Sequence, residues 1–200
     1  MTGQLARDAA AGDTALALRP AVLAWQRTDT VGTELVFRHD GAAADGTSIA
    51  AGPDPYAVDW HAELDPDFAV RLLTATVRCG DLTRTLRLDR GSGRWSFVSD
   101  GPPNADPALV DPGAVVRLER SPIFVSWALR RLRLTVRSGP VRVPVLRVTV
   151  PALEVLAVHE VFQLIGPGRL RVTGDRPPAT YDFDPVGLVG YQAGRWRLVR

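Results

Sequence analysis

Apolar and polar residues alternate with a period of two along much of this chain, and that pattern confines it to extended structure. From Tyr56 to Leu64 one face carries Tyr56, Val58, Trp60, Ala62 and Leu64, and the other carries Ala57, Asp59, His61 and Glu63. A helix would scatter these residues around its axis, whereas a strand sorts them onto two faces. Leu82–Asp89 sets Leu82, Leu86 and Leu88 against Thr83, Thr85, Arg87 and Asp89, and 131–137 sets Leu132, Leu134 and Val136 against Arg131, Arg133, Thr135 and Arg137. Residues 32–38, 68–78, 94–99, 114–119, 141–150, 153–164, 170–174, 180–184 and 195–199 read as strands on the same ground.

Turn residues punctuate these runs. Asp89-Arg90-Gly91-Ser92-Gly93, Ser138-Gly139-Pro140 and Gly166-Pro167-Gly168 suit tight connections, His39-Asp40-Gly41 reads as a turn, and 101–113 suits a longer loop. Short strands at regular spacing predict a mainly β, antiparallel architecture with little helix. No alternation of strand and helix points to a parallel sheet. Ser121-Pro122 has the form of an N-cap and first helical position, so a short helix through Ile123–Leu129 competes there with an irregular crossover.

With 200 residues and 46% hydrophobic composition, the chain can bury a core without staples. We expect a tail or short helix over 1–20 and a single β domain over 21–200. The single cysteine, Cys79, excludes an intramolecular disulfide, and three histidines argue against a histidine-rich metal centre. Arg7, Asp8, Arg19 and Pro20 break up the first 20 residues, which predicts a cytoplasmic protein without a signal peptide. No apolar run is long enough for a transmembrane helix. All 24 basic residues are arginine. Seven acids and no arginine fall in 40–67, and eight arginines with one acid, Glu119, fall in 117–147.

One set of residues, taken in order, resembles a known family. Trp25 and Glu34 are followed by Tyr56-Ala57-Val58 with Trp60, Gly93-Arg94-Trp95 with Asp100-Gly101, and Ser121-Pro122-Ile123-Phe124 leading to Leu129-Arg130-Arg131-Leu132. Val148-Thr149-Val150-Pro151-Ala152-Leu153-Glu154-Val155, Phe162, Asp184, Gly187-Leu188-Val189, Tyr191 and a closing Arg195-Trp196-Arg197 complete the series. Over roughly 23–200 the chain is similar to a bacterial glycolipid-binding family, formerly a domain of unknown function. The resemblance implies one strongly curved, mostly antiparallel sheet, half-barrel or barrel-like, similar to the half-barrels of lipoprotein and lipid carriers, and it brings no catalytic residues. The chain departs from the family at Phe124-Val125-Ser126-Trp127-Ala128, where the family is polar, and at Val115-Val116-Arg117-Leu118, Glu160-Val161-Phe162 and Tyr191-Gln192.

Several constellations could carry chemistry. Asp59, His61 and Glu63 share a strand face, but neighbours there lie about 6–7 Å apart, too far for close metal coordination. The solvent face of an amphipathic strand accounts for them. No Gly-x-Ser-x-Gly is present. Arg131, Arg133 and Arg137, followed by Arg142 and Arg147, form an arginine-rich stretch that suits an anionic ligand or a solvated outer face. Nucleic acid is disfavoured, because no aromatic interleaves with the arginines between 130 and 150.

The five tryptophans are the best lead. A curved sheet too wide to fill keeps an apolar cavity, which Trp60, Trp95, Phe97, Phe124 and Trp127 would line, with Tyr56 or Arg130 at its mouth. The expectation is a non-enzymatic protein that sequesters a glycolipid or fatty-acyl ligand, with no cofactor and no metal. An interaction or structural domain, such as a homodimer using a sheet edge or the basic face, is the alternative. A hydrolase or isomerase built on Asp59, His61, Glu63 or Glu34 is a third reading, which requires those groups to converge on one pocket.

Overall fold

The computed structural model describes residues 22–39, 42–101 and 105–199; the expectations for 1–20, for a turn at 40–41 and for the loop at 102–104 lie outside them. The first half of the chain forms β1 (Val22–Arg27), β2 (Val31–Arg38), β3 (Ala43–Ala51), β4 (Tyr56–Leu64), β5 (Val70–Cys79), β6 (Leu82–Gly91) and β7 (Arg94–Ser99). The second half forms β8 (Val115–Leu118), helix α1 (Pro122–Leu132), β9 (Val141–Val148), β10 (Val155–Gly166), β11 (Arg169–Thr173), β12 (Ala179–Phe183), β13 (Val189–Gln192) and β14 (Trp196–Val199). The fourteen strands among the described residues lie in one sheet, in the order β7-β6-β5-β4-β3-β2-β1-β14-β13-β12-β11-β10-β9-β8. Two meanders meet where β1 pairs with β14, and the chain passes from one edge of the sheet to the other between β7 and β8.

The sheet is curled but not closed, because among the described residues its edge strands β7 and β8 do not pair with each other. Arg84 on β6 donates through Nη1 to the Ala152 carbonyl beyond β9, at 2.8 Å. In a flat sheet those strands would stand about 50 Å apart at the usual spacing between neighbours. The expectation of a strongly curved, mainly antiparallel half-barrel is met.

The alternation predicts most strand faces correctly. In β4 the residues Tyr56, Val58, Trp60 and Ala62 are buried, while Asp59, His61 and Glu63 point outward. Three strands lie outside the alternating runs. β1 is short, β13 has only four residues, and β3 is rich in Ala and Gly, residues with little strand preference. β3 is held by tertiary packing: Gly46 lies opposite Trp60, and a Cβ there would sit 2.1 Å from the indole ring.

Two expectations are corrected around the helix. Residues 131–137 do not form a strand. Arg131 and Leu132 finish α1, Arg133 ends it in the left-handed region at φ 46°, and Val136–Ser138 is a short 3-10 turn. The apparent alternation there comes from a helix end running into a turn. The sheet is also not purely antiparallel, since β8 pairs with β9 in parallel. A helical crossover carries the chain back to the end of the sheet at which β8 began, so the strands joined by α1 run the same way.

Every residue of α1 from Pro122 to Leu129 is buried, as expected for a helix apolar on all sides. Ile123, Phe124 and Trp127 join one core cluster with Trp25, Trp60 and Leu73, and Val125, Ala128 and Leu129 join another with Phe162, Leu170 and Val189. The helix thus fills the hollow of the curl between its two halves. Ser126 gives α1 a polar tie, accepting from the Val189 amide at 2.9 Å, while the Trp25 indole donates to the Val189 carbonyl at 2.8 Å.

Candidate functional site

Six of the seven residues singled out from the sequence share one hydrophobic cluster. Trp60, Phe124 and Trp127 touch edge to face, with ring centroids 5.2, 6.0 and 4.8 Å apart. Tyr56 and Trp95 are buried in the same cluster, and Phe97 packs against it from β7. Trp95 donates to the Asp111 carbonyl at 3.2 Å, with the Arg90 guanidinium 5.9 Å from its ring. Arg130 stands apart. It donates through Nε to the Val186 carbonyl at 2.9 Å and lies 4.9 Å from the Phe68 ring.

The other candidates also separate. Asp59, His61 and Glu63 sit on the outer face in surface pairs: Asp59 with Arg78 at 2.7 Å, His61 with Asp45 at 2.6 Å, and Glu63 with Arg71. Glu34 points inward from β2, two strands away in the sheet, and is fully buried. The four do not converge on one pocket. No group of three or more possible metal-binding side chains gathers among the described residues.

The arginines rearrange most. Arg131 closes the end of α1 by donating to the Gly113 carbonyl at 2.8 Å, Arg133 reaches Asp67 at 3.4 Å, and Arg137 and Arg142 are exposed. They form no common strand face. A different set gathers at the other end of α1, around a cavity of about 420 Å³. Arg117, Arg120, Arg147, Arg176 and Arg195 line it, together with the carboxylates Glu119, Glu160 and Asp175.

Topology assembles this wall. Arg117 and Arg147 are register partners on the parallel strands β8 and β9, which sets two positive charges side by side. Glu160, at an inward position of β10 between Val158 and Phe162, bridges them. It pairs closely with Arg117 and lies 3.5 Å from Arg147 Nη1. Tyr181 accepts from Arg117 Nη2 at 3.1 Å. Burial works against the charge on Arg117, but Tyr181 and Glu160 more than offset it and raise its pKa. Glu119 lies 3.4 Å from Arg147 Nε and 2.9 Å from Arg176. Asp175 takes both terminal nitrogens of Arg147, at 2.7 and 2.6 Å, and that fork holds its carboxyl down at about 2. Arg120, at φ 63°, places its guanidinium 5.1 Å from the Tyr56 ring and pairs with no carboxylate among the described residues.

Behind this wall lies a second polar feature. The Trp60 indole donates to Glu34 Oε1 at 3.3 Å, and Ser48 is the register partner of Glu34 on β3. Among the described residues, Glu34 Oε2 and the hydroxyls of Ser48 and Ser121 are buried without a hydrogen bond. Desolvation pushes the Glu34 carboxyl up to about 8, although the nearby Ser121 hydroxyl and Trp60 indole favour its charged form. Ser121, which precedes α1, also lines the arginine cavity.

Sequence reasoning passed over this site because its members come from five segments. A signal was present at two of them. Arg147 interrupts an apolar run, and Glu160 occupies an inward position of an alternating strand. A charge placed where a core residue belongs has to be paired.

Comparisons with known proteins agree with the fold. The model of a family described as "Putative glycolipid-binding" matches residues 22–197. The crystal structure of a DUF1089 family protein from Pseudomonas aeruginosa is similar to this chain, with a TM-score of 0.70 and 23% identity, covering 86% of this chain and 94% of that one. A comparison with curated proteins gives no match. Among the described residues, no helix is long and apolar enough to cross a membrane.

Proposed function

This chain belongs to the glycolipid-binding family, and on that premise we propose that it binds a glycolipid, without catalysis, by holding the headgroup in the arginine-lined cavity beside the N-terminus of α1. The observation that carries this reading is the cavity itself: about 420 Å³ in volume, with five arginines against three carboxylates. That volume suits a sugar headgroup, being at the small end of the range for ligand pockets, about 300–1,000 Å³. Guanidinium forks and the Tyr181 hydroxyl suit sugar hydroxyls and anionic substituents. The acyl chains would stay outside, near Pro177, Pro178 and Ala179 at the cavity wall.

In this reading the aromatic candidates act at one remove. Tyr56 borders the headgroup through Arg120, whereas Trp60, Phe124 and Trp127 brace α1 and so fix the cavity floor. Trp95 and Phe97 support the same cluster from β7, and Arg130 anchors the far end of the helix. A cytoplasmic location fits a carrier of this kind.

Native mass spectrometry of freshly purified protein, followed by organic extraction, tests the reading. A reproducible added mass that disappears on extraction and contains sugar supports it. A bound lipid without sugar, or no uptake of any glycolipid offered in micelles, overturns it.

A second reading has one observation in its favour. Val22, Leu35, Phe37, Ile49 and Val199 are exposed on the outer face of adjacent strands. An apolar row of that kind suits a second copy of this chain. Light scattering across a concentration series, with Phe37→Glu as control, decides it. A dimer lost in the variant supports this reading, and a monomer at all concentrations removes it.

A further inference from the structure

We infer that the Arg147 guanidinium is an anion subsite occupied by the protein's own Asp175 carboxylate, so that the cavity takes a headgroup bearing a phosphate, sulfate or carboxylate. The inference deepens the glycolipid reading by naming the class of headgroup, and it rests on that reading only for the sugar.

Three carboxylates reach Arg147, and they are not alike. Glu160 and Glu119 are mostly buried, with side chains 6% and 15% exposed, and each is shared with a second arginine, Arg117 or Arg176. They are structural parts of the wall. Asp175 is 53% exposed and sits in the connection between β11 and β12, beside Gly174 and before Pro177 and Pro178. Yet it alone makes the two-pronged contact with Arg147, whose own side chain is 5% exposed. Paired N–H donors at 2.6–2.7 Å from two oxygens are the geometry in which a guanidinium receives a phosphate or carboxylate from a ligand.

Charge points the same way. With Asp175 in place the cavity holds five arginines and three carboxylates, and with Asp175 turned away it holds five and two. A ligand oxyanion replacing Asp175 restores the balance at the same two donors. Arg120 offers a further guanidinium close by, with no carboxylate among the described residues paired to it. Its left-handed backbone, at φ 63°, is a conformation that non-glycine residues adopt at some cost and that gathers at binding sites.

The experiment is calorimetric titration of the whole protein at low ionic strength with inorganic phosphate, glucose 1-phosphate and glucose. Wild type, Asp175→Ala, Asp175→Asn and the double variant Asp175→Ala with Arg147→Met are compared. Removing the internal competitor should tighten phosphate and glucose 1-phosphate at least tenfold, and the double variant should lose that gain. Tighter binding of glucose 1-phosphate than of phosphate assigns the site to a headgroup, and equal binding assigns it to free phosphate; both keep the anion subsite. If the alanine variant folds poorly, the asparagine variant keeps the side-chain size, and its melting temperature should rise more than that of wild type on adding phosphate. Unchanged or weaker phosphate affinity in both single variants overturns the inference, as does a gain that survives loss of Arg147 or glucose binding as tightly as its phosphate. A glycolipid found on wild type alongside unchanged phosphate affinity in the variants leaves the family reading standing and removes only the subsite. A tenfold gain with no glycolipid uptake does the reverse.

Discussion

Replacing Glu34 by glutamine should change how the stability of this protein depends on pH. Glu34 is fully buried, and desolvation lifts its carboxyl from the ordinary 4.5 to about 8. Below pH 4.5 the group is protonated in both folded and unfolded chains and costs nothing. Between 4.5 and about 8 the unfolded chain ionises while the folded one stays protonated, so folding takes up a proton and stability falls as pH rises. The full loss across that window is about 5 kcal/mol, of which about 3 kcal/mol has accrued by pH 7. Glutamine keeps an oxygen for the Trp60 indole and has no proton to titrate. The stability of Glu34→Gln minus that of wild type should therefore grow by about 2–3 kcal/mol from pH 5 to pH 7. Urea unfolding followed by tryptophan fluorescence at several pH values reads this directly, and taking the difference cancels the other titrating groups. A flat difference across that range, or a variant that loses stability faster than wild type, would refute the assignment of a buried neutral carboxyl.

Packing and charge set the remaining expectations. Gly46→Ala drives a methyl into the Trp60 indole and should cost about 1–3 kcal/mol while shifting the emission of that ring, measured by denaturant melts and fluorescence. Phe124→Ala and Trp127→Ala each empty part of the aromatic cluster under α1 and should each cost about 3–5 kcal/mol in the same melts. Arg147→Met leaves Glu160 and Glu119 short of a partner in a mostly buried wall and should cost about 3–5 kcal/mol. Adding Glu160→Gln to Arg147→Met should recover part of that loss, and a double variant no more stable than the single one contradicts the pairing.

The fold was legible where side chains alternate and obscure where tertiary contacts decide. The inward row of β4 could be read because each apolar residue there meets the core. β3 could not, since its small residues become a strand only under the Trp60 ring. Ser121-Pro122 marked the start of α1, but the alternation of Leu132, Leu134 and Val136 disguised its end. The aromatic cluster was legible as a set, its partners in α1 included. The arginine cavity was not. Arg117 and Arg147 become neighbours only through the parallel pairing of β8 and β9, and Arg176 and Arg195 arrive from turns far along the chain. No spacing within a single strand encodes such a meeting.

The central claim is that the headgroup of a glycolipid enters the arginine cavity, and side-chain NMR tests it most directly. The arginine Nε–H and tryptophan indole signals of the labelled protein would be followed while an anionic glycolipid is added in mixed micelles, with empty micelles as control. The account predicts that the signals of Arg117, Arg120 and Arg147 shift with saturation while the Trp60 and Trp127 indoles, packed together where α1 meets β4, stay in place. Saturable shifts of those two indoles with unmoved arginines would contradict it and place the ligand among the aromatic residues instead.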